Sequence, residues 1–150
     1  MLQVALWEPE IPPNTGNIAR LCAATGVPLH LIGPLCFRID DRSLRRAGLD
    51  YWDAVELHRH DSLADFERAL PGRLFCLSAH AVRPYTAVDY QHGDCLLFGS
   101  ETRGLPPEVL ARHAEHSITI PMLTANVRSL NLATAVGIVL YEALRQLHAW

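Results

Sequence analysis

Short apolar runs alternate with helical patterns along the chain, and this alternation limits the fold more than any other feature of the sequence. The runs "LQVALW" (2–7), "PLHLIG" (28–33), "DAVELH" (53–58), "RLFCLSA" (73–79), "DCLLFG" (94–99) and "HSITIPM" (116–122) read as strands. Several are apolar almost throughout, as strands are when a sheet is covered on both faces. Helical periodicity falls over 15–25, 42–48, 62–70, 106–113 and 131–148. The pattern predicts an α/β fold with a mainly parallel sheet and helices on both faces. No linker or low-complexity stretch interrupts the 150 residues, so 1–150 is expected to form one domain around one core.

The last helix departs from ordinary amphipathicity. Leu132, Val136, Val139, Ala143 and Leu147 make a stripe, while Ala135, Ile138 and Leu140 extend it nearly all round the first half. Such a helix needs cover on every side, from its own chain or from a second subunit.

Several function classes lose support early. With 49% apolar and 19% charged residues the composition is globular. No apolar run nears the roughly 20 residues that span a bilayer. Glu8 interrupts "MLQVALWEPE" too early for a secretory leader, which points to a cytoplasmic protein. Cys22, Cys36, Cys76 and Cys95 have no short paired spacing and each borders apolar residues, so all four are expected to be buried thiols. The formal charge of −3 argues against a nucleic-acid partner in bulk. Yet every basic residue is arginine, the side chain best suited to bidentate phosphate contacts and base stacking.

Three strand-to-helix loops carry the chemistry. In "IPPNTGNIARLCAATG" (11–26), Asn14 is placed to cap a helix that Gly26 ends. Gly16, Asn17 and Arg20 share a helical face, so a guanidinium and a helix N-terminus would gather on one side, which suits an anion such as an RNA phosphate. A capped helix with a surface arginine explains the stretch equally well. The segment has neither Gly-x-x-x-x-Gly-Lys nor Gly-x-Gly-x-x-Gly, which disfavours nucleoside triphosphatases and dinucleotide oxidoreductases. In "LLFGSETRGLP" (96–106), Glu101 and Arg103 lie between two glycines beyond a buried strand, where parallel sheets bind ligands. In "TIPMLTANVRSLNLATAV" (119–136), Ser129 or Asn131 could cap the long helix.

Taken together, "NTGNIAR", "LLFGSETRGL" and "IPM…RSLNLATAV" resemble, in order and spacing, the three motifs of the SPOUT-class (TrmH-like) RNA 2′-O-methyltransferases. The flanking "EPEIPPNTGN", "RRAGLDYW" and "VLYEALRQL" are similar to the small branch that methylates the wobble ribose of tRNA, at cytidine 34 or modified uridine 34. The resemblance implies a deep C-terminal trefoil knot, S-adenosyl-L-methionine as cofactor, a homodimer, and a tRNA anticodon stem-loop, leucine tRNAs foremost, as substrate. By position it implies cofactor contacts at Leu77, Gly99, Ile120 and Ser129, with Met122 and Leu130 as neighbours. Glu101 would stand near the cofactor or brace its loop. "RSLN" replaces the Arg-Ser-Met-Asn common in relatives, an apolar exchange of small consequence.

Arg20 matches the family's catalytic arginine. A guanidinium stays protonated and is no free base. The role implied is to clamp the neighbouring phosphate and stabilise charge developing on the ribose oxygen, a phosphate oxygen being the candidate proton acceptor. Asn14 and Tyr141 complete the candidate catalytic set, with a cap and a packing tyrosine as the plainer alternatives. Arg42, Arg45 and Arg46, near Tyr51 and Trp52, are the best local patch for RNA. Two other classes find little support in the sequence. His58 with His60, and His113 with His116, lack ligand-spaced partners, so no metal is expected; and there is no nucleophile elbow for a hydrolase. A non-catalytic tRNA-binding protein of the same fold, or a methyltransferase for another tRNA or rRNA ribose, remain the alternatives.

Overall fold

The computed structural model describes residues 1–38 and 52–150. The expected helix at 42–48, with Arg42, Arg45, Arg46 and Tyr51, lies outside the described residues. Six strands, β1 (Gln3–Trp7), β2 (Leu29–Ile32), β3 (Leu57–His60), β4 (Leu74–Leu77), β5 (Cys95–Phe98) and β6 (Ser117–Ile118), form one sheet in the order β3-β2-β1-β5-β4-β6. Every pairing is parallel. Among the described residues the α-helices are α1 (Pro12–Thr25), α2 (Leu63–Ala69), α3 (Pro107–Arg112) and, after the last strand, α4 (Leu132–His148).

Alternation along the strands divides the interior into two layers. Val4, Leu6, Leu29, Leu31, Phe75, Leu96 and Phe98 face α1 and α4, packing with Ile18, Cys22, Val136, Val139 and Leu140. Ala5, Ile32, Leu74, Cys76, Cys95 and Leu97 face α2 and α3, meeting Phe66 and Val109. Because both faces are covered, the strands carry apolar residues at consecutive positions, as the sequence pattern predicts.

Boundaries differ where local chemistry overrides periodicity. The helix expected from 15 begins at Pro12 with Ile11 as N-cap, because prolines fit the first turn, whose N–H groups need no partner within the helix. Asn14 is therefore inside the first turn and not its cap. Gly26 ends α1 at φ 70°, as expected. The strand expected at 53–58 lies at Leu57–His60 instead, and Trp52–Ala54 is a 3-10 turn. Trp52 and Val55 reach the core from that turn, whereas β3 is an edge strand with exposed His58 and Arg59, so apolarity marked the wrong residues. β6 is only two residues long; beyond it Thr119 bridges Pro84.

On α4, Leu132, Val136, Val139, Leu140, Ala143 and Leu144 are buried, Ala135 and Ile138 are half-buried, and Tyr141 and Arg145 are exposed. The described residues thus cover one side of the helix.

Candidate functional site

Because all six strands run the same way, their C-terminal ends lie along one edge. Leu6 pairs with Phe98, Cys76 with Leu97, and Leu77 with Ile118. Leu77, Phe98 and Ile118 are therefore level, with Gly99 one residue beyond and Ile120 two. From β1 the chain turns towards β2, and from β5 towards β6 on the other side. The loops leaving β1 and β5 diverge, the place where a parallel sheet opens a crevice.

At that place the three motif loops are fastened together. The Glu101 carboxylate accepts hydrogen bonds from the backbone N–H of Glu10 (2.9 Å) and Ile11 (2.7 Å) and from Asn14 Nδ2 (3.2 Å). Asn14 Oδ1 in turn accepts from Asn131 Nδ2 at 3.0 Å, and Asn131 Oδ1 caps α4 by accepting from the Thr134 N–H at 3.2 Å. The amide orientations follow from chemistry: an ionised carboxylate only accepts, so Asn14 must turn its NH₂ towards Glu101 and its oxygen towards Asn131. Of the two caps considered for α4, Asn131 is the one used; Ser129 is exposed in the preceding loop.

The positive end of α1 was expected to receive an RNA phosphate. Glu101 stands there instead, an internal anion at a helix N-terminus. Glu101 thus braces the loop, one of the two places foreseen for it.

A second carboxylate reaches the opposite way. Glu10 accepts from the Thr102 N–H at 3.1 Å and from the Thr102 hydroxyl at 2.7 Å. These donors hold the Glu10 carboxyl below its ordinary range. Next along, Arg103 lies 3.6 Å from a Glu8 carboxylate oxygen and 5.0 Å from the centre of the Trp7 ring. Glu8 itself has a left-handed backbone, φ 44°.

The glycines flanking this loop serve its closure. A Cβ on Gly99 would stand 2.1 Å from the Gly104 carbonyl carbon; Gly104 donates its N–H to Ser100 O at 2.9 Å and continues the turn at φ 66°.

α1 and α4 run side by side in the same direction. Their first turns meet at Asn14 and Asn131, and further along Leu21 Cδ2 comes within 4.0 Å of the position a Gly137 Cβ would take. Arg20 and Asn17 are exposed on α1, whereas Gly16, expected on their face, is buried. Tyr141 is 46% exposed in the single chain, and its ring lies 6.3 Å from that of Trp150.

Among the expected cofactor residues, Leu77, Ile120 and Leu130 are half-buried and Met122 is 38% exposed. A cleft of about 490 Å³ begins just past Leu77, between residues 78–83 and α3, and includes none of them. It opens beside the β4 end and not over the switch point.

The other side chains singled out from the sequence have local partners. His60 Nε2 lies 2.9 Å from His30 Nδ1, and His113 Nε2 lies 2.6 Å from Glu67. Among the described residues no His, Cys, Asp or Glu group is arranged to hold a metal ion. No helix among them is long and apolar enough to cross a membrane. Cys22, Cys76 and Cys95 are buried, but Cys36 is exposed, in the turn after β2, with its thiol 3.3 Å from Glu10 O. A turn residue has no core to enter, whatever apolar neighbours surround it in sequence.

Glu8, Glu10 and Thr102 were not picked out from the sequence. Their contacts join positions some ninety residues apart, and no periodicity encodes such a pairing. Only the placement of both loops at one sheet edge would have brought them under suspicion.

Residues 1–141 match the SpoU rRNA Methylase family. The chain is 54% identical to the tRNA (cytidine(34)-2′-O)-methyltransferase of Escherichia coli K12 over 149 residues, covering 98% of this chain and 94% of that protein. A solved structure described as giving insights into the 2-OH methylation of C/U34 on tRNA superposes with a TM-score of 0.95 at 53% identity, covering 100% of this chain and 98% of that one. The AdoMet-bound rRNA methyltransferase of Sinorhizobium meliloti superposes with a TM-score of 0.85 at 33% identity, covering 97% of this chain and 56% of that one.

Proposed function

The chain belongs to the SpoU rRNA Methylase family, and from that premise we propose that it methylates the ribose 2′-hydroxyl of the wobble nucleotide of tRNA, cytidine 34 or modified uridine 34, with S-adenosylmethionine as donor. The observation that carries this is the fastening of the three motif loops by Glu101, Asn14 and Asn131 at the switch point. Identity above half over nearly the full length of a C34 methyltransferase supports the same position in tRNA.

The residues at the strand ends fit the cofactor chemically. Half-buried Leu77, Ile120 and Leu130 offer apolar surface for an adenosine, and the main chain at Gly99 and the loop with Met122 and Ser129 offer polar groups around it. When bound, S-adenosylmethionine supplies an electrophilic methyl group on a sulfonium. The chain's own task is to present the ribose hydroxyl to it. Arg20 holds the adjacent phosphate and stabilises the charge that develops on the 2′-oxygen as its proton leaves towards a phosphate oxygen. With the α1 N-terminus already occupied by Glu101, Arg20 is the cation on α1 that meets the phosphate. Asn14 is a positioning residue, since its side chain is spent on Glu101 and Asn131. Tyr141, exposed on the helix beside α1, faces the nucleotide.

The half-buried side of α4, with Ala135 and Ile138, together with exposed Leu123 and Val127, suits a second copy of the chain. The substrate is the anticodon stem-loop held across that homodimer, leucine tRNAs foremost, with Arg42, Arg45 and Arg46 on its phosphates. The C-terminal knot and a cytoplasmic site of action belong to the same proposal.

The test is methyl transfer from labelled S-adenosylmethionine to tRNA lacking wobble ribose methylation, mapped by mass spectrometry. The expected product carries 2′-O-methyl at nucleotide 34, and Arg20→Ala is expected to lower turnover on the order of 100-fold or more. Methylation at another ribose would keep the chemistry and overturn the target.

A further inference from the structure

Three successive residues of the β5–α3 loop each find a partner in the short segment that leads from β1 into α1. Glu101 accepts from the N–H groups of Glu10 and Ile11, Thr102 donates both its N–H and its hydroxyl to Glu10, and Arg103 faces Glu8 at 3.6 Å while lying over Trp7. The contacts run in both directions: one carboxylate reaches from the loop to the helix lead, the other from the helix lead to the loop. One such bond would leave a pivot. Opposed pairs resist both sliding and rotation.

Resting on the methyltransferase function proposed above, we infer that Glu10 is a positioning residue, which fixes the helix carrying Arg20 against the loop that receives the methyl donor. Arg20 lies nine residues beyond Ile11, about 13 Å along the helix at 1.5 Å per residue. A small tilt where α1 begins therefore moves the guanidinium relative to Gly99. Transfer of a group between two bound partners is sensitive to such displacement, about 1 Å costing up to 100-fold.

Two further observations support the assignment. Glu8 holds a left-handed backbone at φ 44°, unusual for a residue with a side chain, and such conformations persist only where the surroundings over-determine them. The Glu8 side chain also lies so close over Gly33 that a Cβ there would stand 2.8 Å from Glu8 Cγ. The lead into α1 is thus held from both sides, by the β5–α3 loop and by the end of β2. An ionised carboxylate suits the Glu10 position because it accepts from an N–H and a hydroxyl together and offers no proton that could compete.

The experiment compares Glu10→Ala, Thr102→Val, Thr102→Ser and the double variant Glu10→Ala/Thr102→Val with the wild type. Steady-state methylation of tRNA and tRNA affinity are measured for each. Glu10→Ala and Thr102→Val are expected to lower kcat on the order of 10-fold or more, with tRNA affinity within about twofold of wild type, since neither side chain contacts RNA in this assignment. Thr102→Ser, which keeps the hydroxyl, is expected to restore kcat. The double variant should be no worse than Glu10→Ala, because the hydroxyl contact that Thr102→Val removes is among those that Glu10→Ala already removes. Should Glu10→Ala fail to fold, Thr102→Val carries the same comparison from the other side. Wild-type turnover in both single variants, or losses that multiply in the double variant, would overturn the role of Glu10 alone. A wild-type protein that transfers no methyl to tRNA would overturn the function on which that role rests.

Discussion

A methyl group on Gly99 has nowhere to go: it would stand 2.1 Å from the Gly104 carbonyl carbon and 2.3 Å from the Leu105 nitrogen, both backbone atoms of the same closed loop. Gly99→Ala is therefore expected to cost on the order of 2–4 kcal/mol, read from the midpoint and slope of urea denaturation. A loss under about 0.5 kcal/mol would mean that the loop opens at little expense. At this same scale the roles of the two carboxylates part. Glu101 fills the end of α1, while Glu10 secures the residue after Glu101. "FGSETRG" was recognisable as a loop of importance, and Glu101 as a candidate brace. Which atoms it would brace was not recognisable, because the donors are backbone N–H groups at 10 and 11, which side-chain identities do not announce.

Among the elements, α4 offers a clean separation of cap from bridge. Asn131 caps the helix through Oδ1 and reaches Asn14 through Nδ2. Asn131→Asp keeps the acceptor and places a negative charge at a helix N-terminus, so stability is expected within about 1 kcal/mol of wild type. It loses the donor, and methylation is expected to fall about 10-fold; unchanged turnover would show that the bridge to Asn14 is idle. The edge formed by β2 and β3 behaves differently. His30 stacks on His58 at 4.9 Å and bonds to His60, while Glu56 lies beside His58 and Phe66 covers the rings. Burial first, then the neighbouring His58 and His60, pushes the His30 imidazole down to about 4. A base with a depressed folded pKa takes up its proton more readily when unfolded, so its stabilising effect is full above the ordinary value of 6.5 and is lost as pH falls towards about 4. Denaturation midpoints at pH 7.5 and pH 5 should therefore fall further in the wild type than in His30→Gln. Equal falls would assign the acid sensitivity elsewhere. Elements in the centre of the sheet were legible from sequence because burial on both faces makes them apolar throughout. β3 was displaced in the expectation because an edge strand is free to be polar.

For the molecule as a whole, helices on both faces of one parallel sheet leave the strand ends for chemistry, and the proposed second copy would meet the half-buried side of α4. Sedimentation is expected to give twice the chain mass, and Ile138→Asp to shift it towards monomer, since a charge in a buried interface is costly. A monomeric wild type would remove the dimer from the mechanism. The overall class was readable in the alternation of runs, whereas the meeting of loops from residues near 10, 101 and 131 was not, because it arises only when the crossover at β1 and β5 is made. The distribution of thiols has a practical corollary. Burial pushes Cys22 and Cys76 up to about 12 and raises Cys95 as well, so these three resist alkylation, while Cys36 lies exposed with its sulfur against Glu10 O. Under native conditions a maleimide dye should therefore attach once per chain, at Cys36. The fluorophore would sit beside the joint between the helix lead and the β5–α3 loop, a built-in optical reporter of whether cofactor or tRNA moves it.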